Sequence, residues 1–143
     1  LKSKFGSSSI SRMKILINDH RKLSAIQKDF TGMFPYLKLE FFSKPHKVGA
    51  PSSKKIIKSP SKTLGECRVI HNKGSLTITP QMTVAELEQA FGDVYGLSVQ
   101  VFRKSGRVWL ETTVTDGWTL EKQNSQGENL SAEKTKDDEI KSR

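Results

Sequence analysis

The chain has 143 residues, a formal net charge of +9, one cysteine and 34% hydrophobic content. That length bounds it to one domain with tails, and no apolar run nears the roughly 18 residues a membrane helix needs. The lone Cys67 excludes an internal disulfide and fits a reducing compartment, taken as the cytoplasm.

Charge is distributed unevenly. Residues 1–73 carry 16 Lys/Arg against 4 Asp/Glu, and residues 74–143 carry 8 against 11. A basic first half points to an anionic partner there, or to two halves that neutralise each other in the fold. Residues 1–12, LKSKFGSSSISR, start basic but lack the apolar core of a secretory signal. They read as a disordered leader ahead of Met13.

Two later segments share one pattern. The first is KILINDHRKLSAIQKDFTGMFPYLKLEFFSK, 14–44, and the second is SLTITPQMTVAELEQAFGDVYGLSVQVFRK, 75–104. At an offset of 61, Ile15 matches Leu76, Ile17 matches Ile78, Leu23 matches Val84, Ile26 matches Leu87 and Phe30 matches Phe91. At an offset of 60, Leu37, Leu39, Phe41 and Phe42 match Leu97, Val99, Val101 and Phe102. Alternating residues at each start have the period of a half-buried strand. Leu23, Ile26, Phe30, Met33 and their counterparts Val84, Leu87, Phe91, Val94 step by three and four, as one apolar stripe of a helix does. Thr83 and Glu86 form a capping box for the second helix, while Pro35 and Gly96 mark the helix ends. Any two βαβ units share such a pattern, but matched aromatics at Phe30/Phe91, Phe34/Tyr95 and Phe42/Phe102 favour a duplication.

Two tandem βαβ units predict an α+β domain over 13–122, as a ferredoxin-like (split βαβ) two-layer sandwich. Its four antiparallel strands would carry both helices on one face. A β-grasp arrangement is the alternative. Between the units, residues 43–62 hold six lysines, no acid and three prolines, which reads as a flexible basic linker. Lys44, Lys47, Lys54, Lys55, Lys58 and Lys62 are therefore candidate anion-binding residues.

A further strand, RVWLETTV, follows through a turn placed at Ser105-Gly106. That turn pairs Lys104 with Arg107, Phe102 with Trp109, Val101 with Leu110 and Gln100 with Glu111. Leu97, Val99 and Val101 then face the helices. Phe102 and Trp109 join Lys38, Glu40 and Phe42 on the other side, an arrangement with the ingredients of a base-stacking platform. Alternatively Trp118 and Leu120 fold back over Phe102 and Trp109 to make a second small core. The Trp segment, 107–122, reads as an addition without counterpart in the first unit. Residues 123–143 mix charges with little that is apolar and read as a disordered tail or a frayed polar helix.

The run FRKSGRVWLETTVTDGWTLEKQNSQGE, 102–128, resembles the C-terminal signature of small uncharacterised bacterial proteins. The resemblance covers about a quarter of the chain. It implies a bacterial cytosolic setting and brings no activity, ligand or partner with it.

Catalytic chemistry finds little support. No Gly-x-Ser-x-Gly is present, and Cys67 has His71 as its neighbour on a possible shared helix face, short of the three or four ligands a metal needs. His20 and His46 stand alone, and Glu40, Glu66, Glu86 and Asp93 form no carboxylate pair. Gly49 and Gly106 are isolated, so no phosphate-cradling loop is present. The expectation is a non-catalytic binding module without metal or cofactor. It would contact RNA or DNA through the linker lysines and an aromatic face of Phe42, Phe102, Trp109 and Trp118. The alternative is a protein-interaction adaptor that uses a Trp109/Trp118 face and has no nucleic-acid role.

Overall fold

Alternation at Ile15/Ile17 and at Leu76/Ile78 produces two strands with the same burial pattern, β1 (Met13–Ile17) and β3 (Gly74–Ile78). In this computed structural model, residues 13–43 and 55–141 are described, 133–141 by backbone alone. The expected leader, and Lys44, Lys47 and Lys54 of the linker, lie outside the described residues. The order is β1, α1 (Leu23–Met33), β2 (Leu37–Phe42), a 3-10 turn (Leu64–Cys67), β3, α2 (Val84–Tyr95), β4 (Ser98–Ser105), β5 (Val108–Glu111) and α3 (Leu120–Lys141). This is an α+β fold with two antiparallel sheets, β1-β3 and β2-β4-β5.

Each strand of the first unit pairs antiparallel with its own counterpart in the second. In β1–β3 the register sets Met13 against Ile78, Ile15 against Leu76 and Ile17 against Gly74. In β2–β4 it sets Leu39 against Val101, Glu40 against Gln100 and Phe41 against Val99. Ile15 and Leu76 are matched residues and also face each other, and so are Glu40 and Gln100. A pseudo-twofold axis therefore passes through both pairs.

The single four-stranded sheet expected of a split βαβ sandwich is not formed, nor is a β-grasp sheet. The reason lies in the outer edges of the β2–β4 pair. Ile57 N donates to Phe41 O at 2.7 Å on one edge, and β5 pairs with β4 on the other. Both outer edges of the pair are partnered by other segments, and β1–β3 stands as a separate sheet.

The same segments seal the helices. Leu23 N and Ser24 N, orphan donors at the start of α1, donate to Lys62 O and Pro60 O. Val84 N and Ala85 N at the start of α2 donate to Trp118 O and Asp116 O. Helix starts need such partners because their first amides have none within the helix. Isolated bridges Lys22–Thr63 and Thr83–Thr119 repeat the match, and Leu64 and Leu120 are both fully buried. The Trp segment thus has a counterpart in the first unit, Pro60–Leu64, contrary to the sequence expectation. Thr63-Leu64 and Thr119-Leu120 carry it, a signal too short to find by pattern.

One core joins both units. Ile15, Ile17, Ile26, Phe30, Phe91, Leu87 and Val101 are fully buried in it, each ring or aliphatic group contributing about 2–3 kcal/mol. Phe41 meets Phe91 edge-on at 6.4 Å between centroids. In α2 the buried stripe ends at Tyr95 rather than Val94, which is 47% exposed. Thr83 and Glu86 close the expected capping box, and Gly96 ends α2 at φ 64°, a left-handed conformation suited to glycine. The expected polar tail is the continuation of α3, which packs on β4. Gln123 is fully buried there and receives a 2.8 Å bond from Arg103 Nη1.

Candidate anion-binding groove

The groove begins with β2. Its odd-numbered residues point into the core, which leaves Lys38, Glu40 and Phe42 on the opposite face. Helix α1 borders the strand, and two of its polar side chains reach the strand's edge. Gln27 Nε2 donates to Leu39 O at 2.9 Å and to Glu40 Oε1 at 3.0 Å, and Thr31 Oγ1 donates to Leu37 O at 3.1 Å. Backbone acceptors that lack a neighbouring strand are thereby satisfied.

Two hollows open along this border. One of about 450 Å³ is lined by Gln27, Lys28, Thr31, Pro35, Lys38 and Trp109 among others. The second, about 270 Å³, is lined by Leu23, Gln27, Glu40 and the segment Ile56–Pro60, with Lys58. Gln27 and Glu40 line both, so the two hollows adjoin and make a groove in two parts, from Trp109 at one end to the Ile56–Pro60 segment at the other.

At the Trp109 end, cations and rings interleave. Lys38 Nζ lies 5.0 Å from the Trp109 ring centre and 5.7 Å from that of Phe102. Its other neighbour is Glu40 Oε2 at 3.4 Å. Lys104 Nζ approaches Trp109 more loosely, at 6.0 Å. Each such contact is worth about 0.5–1 kcal/mol at an exposed site. Together they favour the placement of Lys38 beside the Trp109 ring.

The β4–β5 register differs from the sequence reading. Lys104 lies opposite Trp109 and Phe102 opposite Glu111. The turn is Gly106-Arg107, with Gly106 at φ 66° and, among the described residues, no non-glycine residue at positive φ. Glycine at the first central position of a two-residue turn gives that pattern. The slip is two residues, so every side chain keeps its expected face. Trp109 therefore does share the outer face with Phe102 and Phe42.

Trp118 does not. It packs against Lys122, 4.4 Å from its ring centre, and Arg103 at 5.6 Å. Arg103 points away from Phe102 and Lys104, toward α3. The backbone bonds from α2 that hold Asp116–Trp118 pull the indole to the helix side. The two tryptophans thus lie on opposite sides of the sheet, and neither a shared Trp face nor the second small core of Phe102, Trp109 and Trp118 exists. Of the linker lysines within the described residues, Lys55, Lys58 and Lys62 are all exposed, and Lys58 lines the groove.

A second polar cluster escaped the sequence reading. Asp19 Oδ1 receives bonds from Arg68 Nε at 3.1 Å and Nη2 at 2.8 Å, while His71 Nδ1 sits 2.8 Å from Oδ2. Arg68, its side chain fully buried, also donates to Tyr95 O. The His71 bond, and then Arg68, hold the Asp19 carboxyl below its usual range. The cluster ties the first unit to the second through the connector and reads as structural. Some 50 residues separate Asp19 from its partners, so no local motif announces it. His71 therefore does not share a helix face with Cys67, where the 3-10 turn ends. Burial pushes the Cys67 thiol up, away from a reactive thiolate.

Among the described residues, no group of three or more His, Cys, Asp or Glu is placed to hold a metal ion. No described helix is long and apolar enough to cross a membrane. No protein-family model, curated protein or solved structure matches the chain, and none of these comparisons bears on the resemblance of residues 102–128.

Proposed function

We propose that this protein is a non-catalytic binding module for single-stranded RNA or DNA, held in the groove between α1 and β2. One observation carries the reading. Two adjoining hollows that share Gln27 and Glu40 lie in a row, one beside Lys58 of the basic segment and the other beside the cation-flanked ring of Trp109. In sequence these features stand some 50 residues apart.

The chemistry suits a strand of nucleotides. Lys28, Lys38 and Lys58 line the groove and supply charge for phosphates. Trp109 and Pro35 offer flat apolar surface for a base. Lys104, loosely held over the indole, gives way to a base while its amine meets a phosphate. The one carboxylate in the groove, Glu40, already accepts from Gln27 and neighbours Lys38, so it repels an anion less than a bare acid would.

Anisotropy of a labelled mixed-sequence single strand tests the proposal. Affinity should fall by one or more orders of magnitude between about 50 and 200 mM salt. Trp109→Ala should weaken binding roughly tenfold or more while circular dichroism is unchanged. Wild-type protein that shows no salt-dependent binding overturns the reading, as does a Trp109→Ala protein of undiminished affinity.

A further inference from the structure

We infer that the groove prefers bases that carry an exocyclic amine, because Gln27, Thr31 and Glu40 offer a base acceptors alone. This preference rests on the nucleic-acid reading and deepens it. All three residues are half-buried and line the hollow beside Trp109, whose volume of about 450 Å³ suits a small organic group. Each has already committed the hydrogens it can donate. Gln27 Nε2 gives one to Leu39 O at 2.9 Å and the other to Glu40 Oε1 at 3.0 Å. Both partners are oxygens without hydrogens, so the amide turns its nitrogen to them and Oε1 is the atom left over. Thr31 gives its single hydroxyl hydrogen to Leu37 O at 3.1 Å, which leaves the lone pairs of its oxygen. Glu40, as a carboxylate, has no hydrogen to give.

Such a floor sorts bases by the hydrogens they can donate. Cytosine, adenine and guanine carry an NH2 group, whereas uracil and thymine carry a single N–H between two carbonyl oxygens. Against acceptors alone an amine finds partners, and a carbonyl sets oxygen against oxygen at the cost of its lost water. A glutamate that accepts from the cytosine amine is a recurrent pairing in base recognition. Lys28 and Lys38 are donors in the same lining, but their long flexible chains follow phosphate oxygens wherever the strand lies. Ser24, the other hydroxyl of this hollow, can give or accept. Trp109 stacks on any base, so the preference comes from the floor.

Oligo-dC and oligo-dU of equal length test this, since the two strands share a backbone and differ in the base edge alone. Anisotropy at neutral pH and one fixed low salt concentration gives the ratio of their affinities. Wild type should bind oligo-dC roughly tenfold more tightly. Glu40→Gln keeps an oxygen for Gln27 and adds an NH2 donor that suits uracil O4, so the ratio should shrink toward one. Loss of a negative charge raises affinity for both strands, and the ratio is free of that effect. Thr31→Val, which removes one acceptor at nearly constant shape, should lower the ratio by a smaller factor. Circular dichroism checks that both variants are folded. Equal binding of the two strands by wild type, or tighter binding of oligo-dU, overturns the base preference and leaves the nucleic-acid reading standing. A preference for oligo-dC that neither substitution alters overturns its assignment to this floor. Failure of wild type to bind either strand overturns the nucleic-acid reading itself, and the preference with it.

Discussion

Glu40 lies directly opposite Gln100 in the β2–β4 ladder, and the two occupy the same position of the two βαβ units. In an antiparallel pair, equivalent residues can face each other at a twofold axis alone. The Ile15–Leu76 pair of the other sheet meets the same condition. Gln27 of α1 reaches the edge of β2, and its match Glu88 receives the Val101 N–H at the edge of β4. The fold therefore sets two βαβ units about a pseudo-twofold axis, joined by the connector that carries Arg68 and His71.

That symmetry makes Leu64 and Leu120 equivalent plugs, each fully buried where a returning segment closes its helix. Leu64→Ala and Leu120→Ala should each cost about 2–5 kcal/mol. Urea unfolding monitored by far-ultraviolet circular dichroism measures both. If the Leu64 change were silent, the match between the two segments would be one of backbone shape without shared packing.

Gly127 tests how closely α3 rests on the sheet. A Cβ there would stand 2.9 Å from Tyr36 Cβ and 3.2 Å from Lys104 O, a backbone atom. Helix propensity alone predicts that Gly127→Ala gains about 1 kcal/mol. Overpacking costs about 1–3 kcal/mol, and the backbone at Lys104 has little room to yield. The expected outcome is net destabilisation, read as a lower urea midpoint. A rise would mean that α3 is not held at this distance.

Acid should weaken the fold through three carboxylates held below their ordinary range. Asp19 is lowered chiefly by its hydrogen bond with His71, and Glu66 and Glu86 by the backbone amides of Thr63 and Thr83. A carboxylate lowered in the folded state binds fewer protons than in the unfolded chain. Its contribution is complete above the unfolded value near pH 4 and disappears as the pH falls through the folded value. The urea midpoint should therefore hold steady from neutral pH to about pH 5 and decline below it. Asp19→Asn and Glu86→Gln should each flatten that decline. An unchanged slope in the Asp19 variant would show that the Asp19–His71 bond does not outlast solvent competition.

Strands, helices and buried faces were legible because each rests on local periodicity. Leu37, Leu39 and Phe41 alternate, and Leu23, Ile26 and Phe30 step by helical turns. The capping box was legible for the same reason, with Thr83 and Glu86 three residues apart. Sheet pairing was not, because β1 offers the same alternating face to any partner and the choice of β3 depends on what already fills the edges of β2 and β4. The hairpin register was misread by two residues because Ser105-Gly106 and Gly106-Arg107 both admit a glycine turn, and apolar alternation cannot tell them apart. The groove was half legible: Trp109 and Lys38 were placed on one face. Its floor of Gln27 and Glu40 depends on α1 lying against the edge of β2, a tertiary fact.

Charge placement, rather than charge itself, is the sharpest check on that groove. Lys28 and Lys58 line it, whereas Lys14 is exposed on β1, in the other sheet. Lys28→Glu, Lys58→Glu and Lys14→Glu change the net charge by the same amount. Long-range attraction of a polyanion depends mainly on that total and is screened within about 10 Å at 0.1 M salt. Direct phosphate contacts depend on position, and each one lost lowers the slope of log affinity against log salt by about one unit. The two groove variants should show that loss of slope with single-stranded oligonucleotide, and Lys14→Glu should retain the wild-type slope with slightly lower affinity at low salt. Equal slopes in all three variants would mean that the strand is attracted to the basic surface at large, with the groove playing no part.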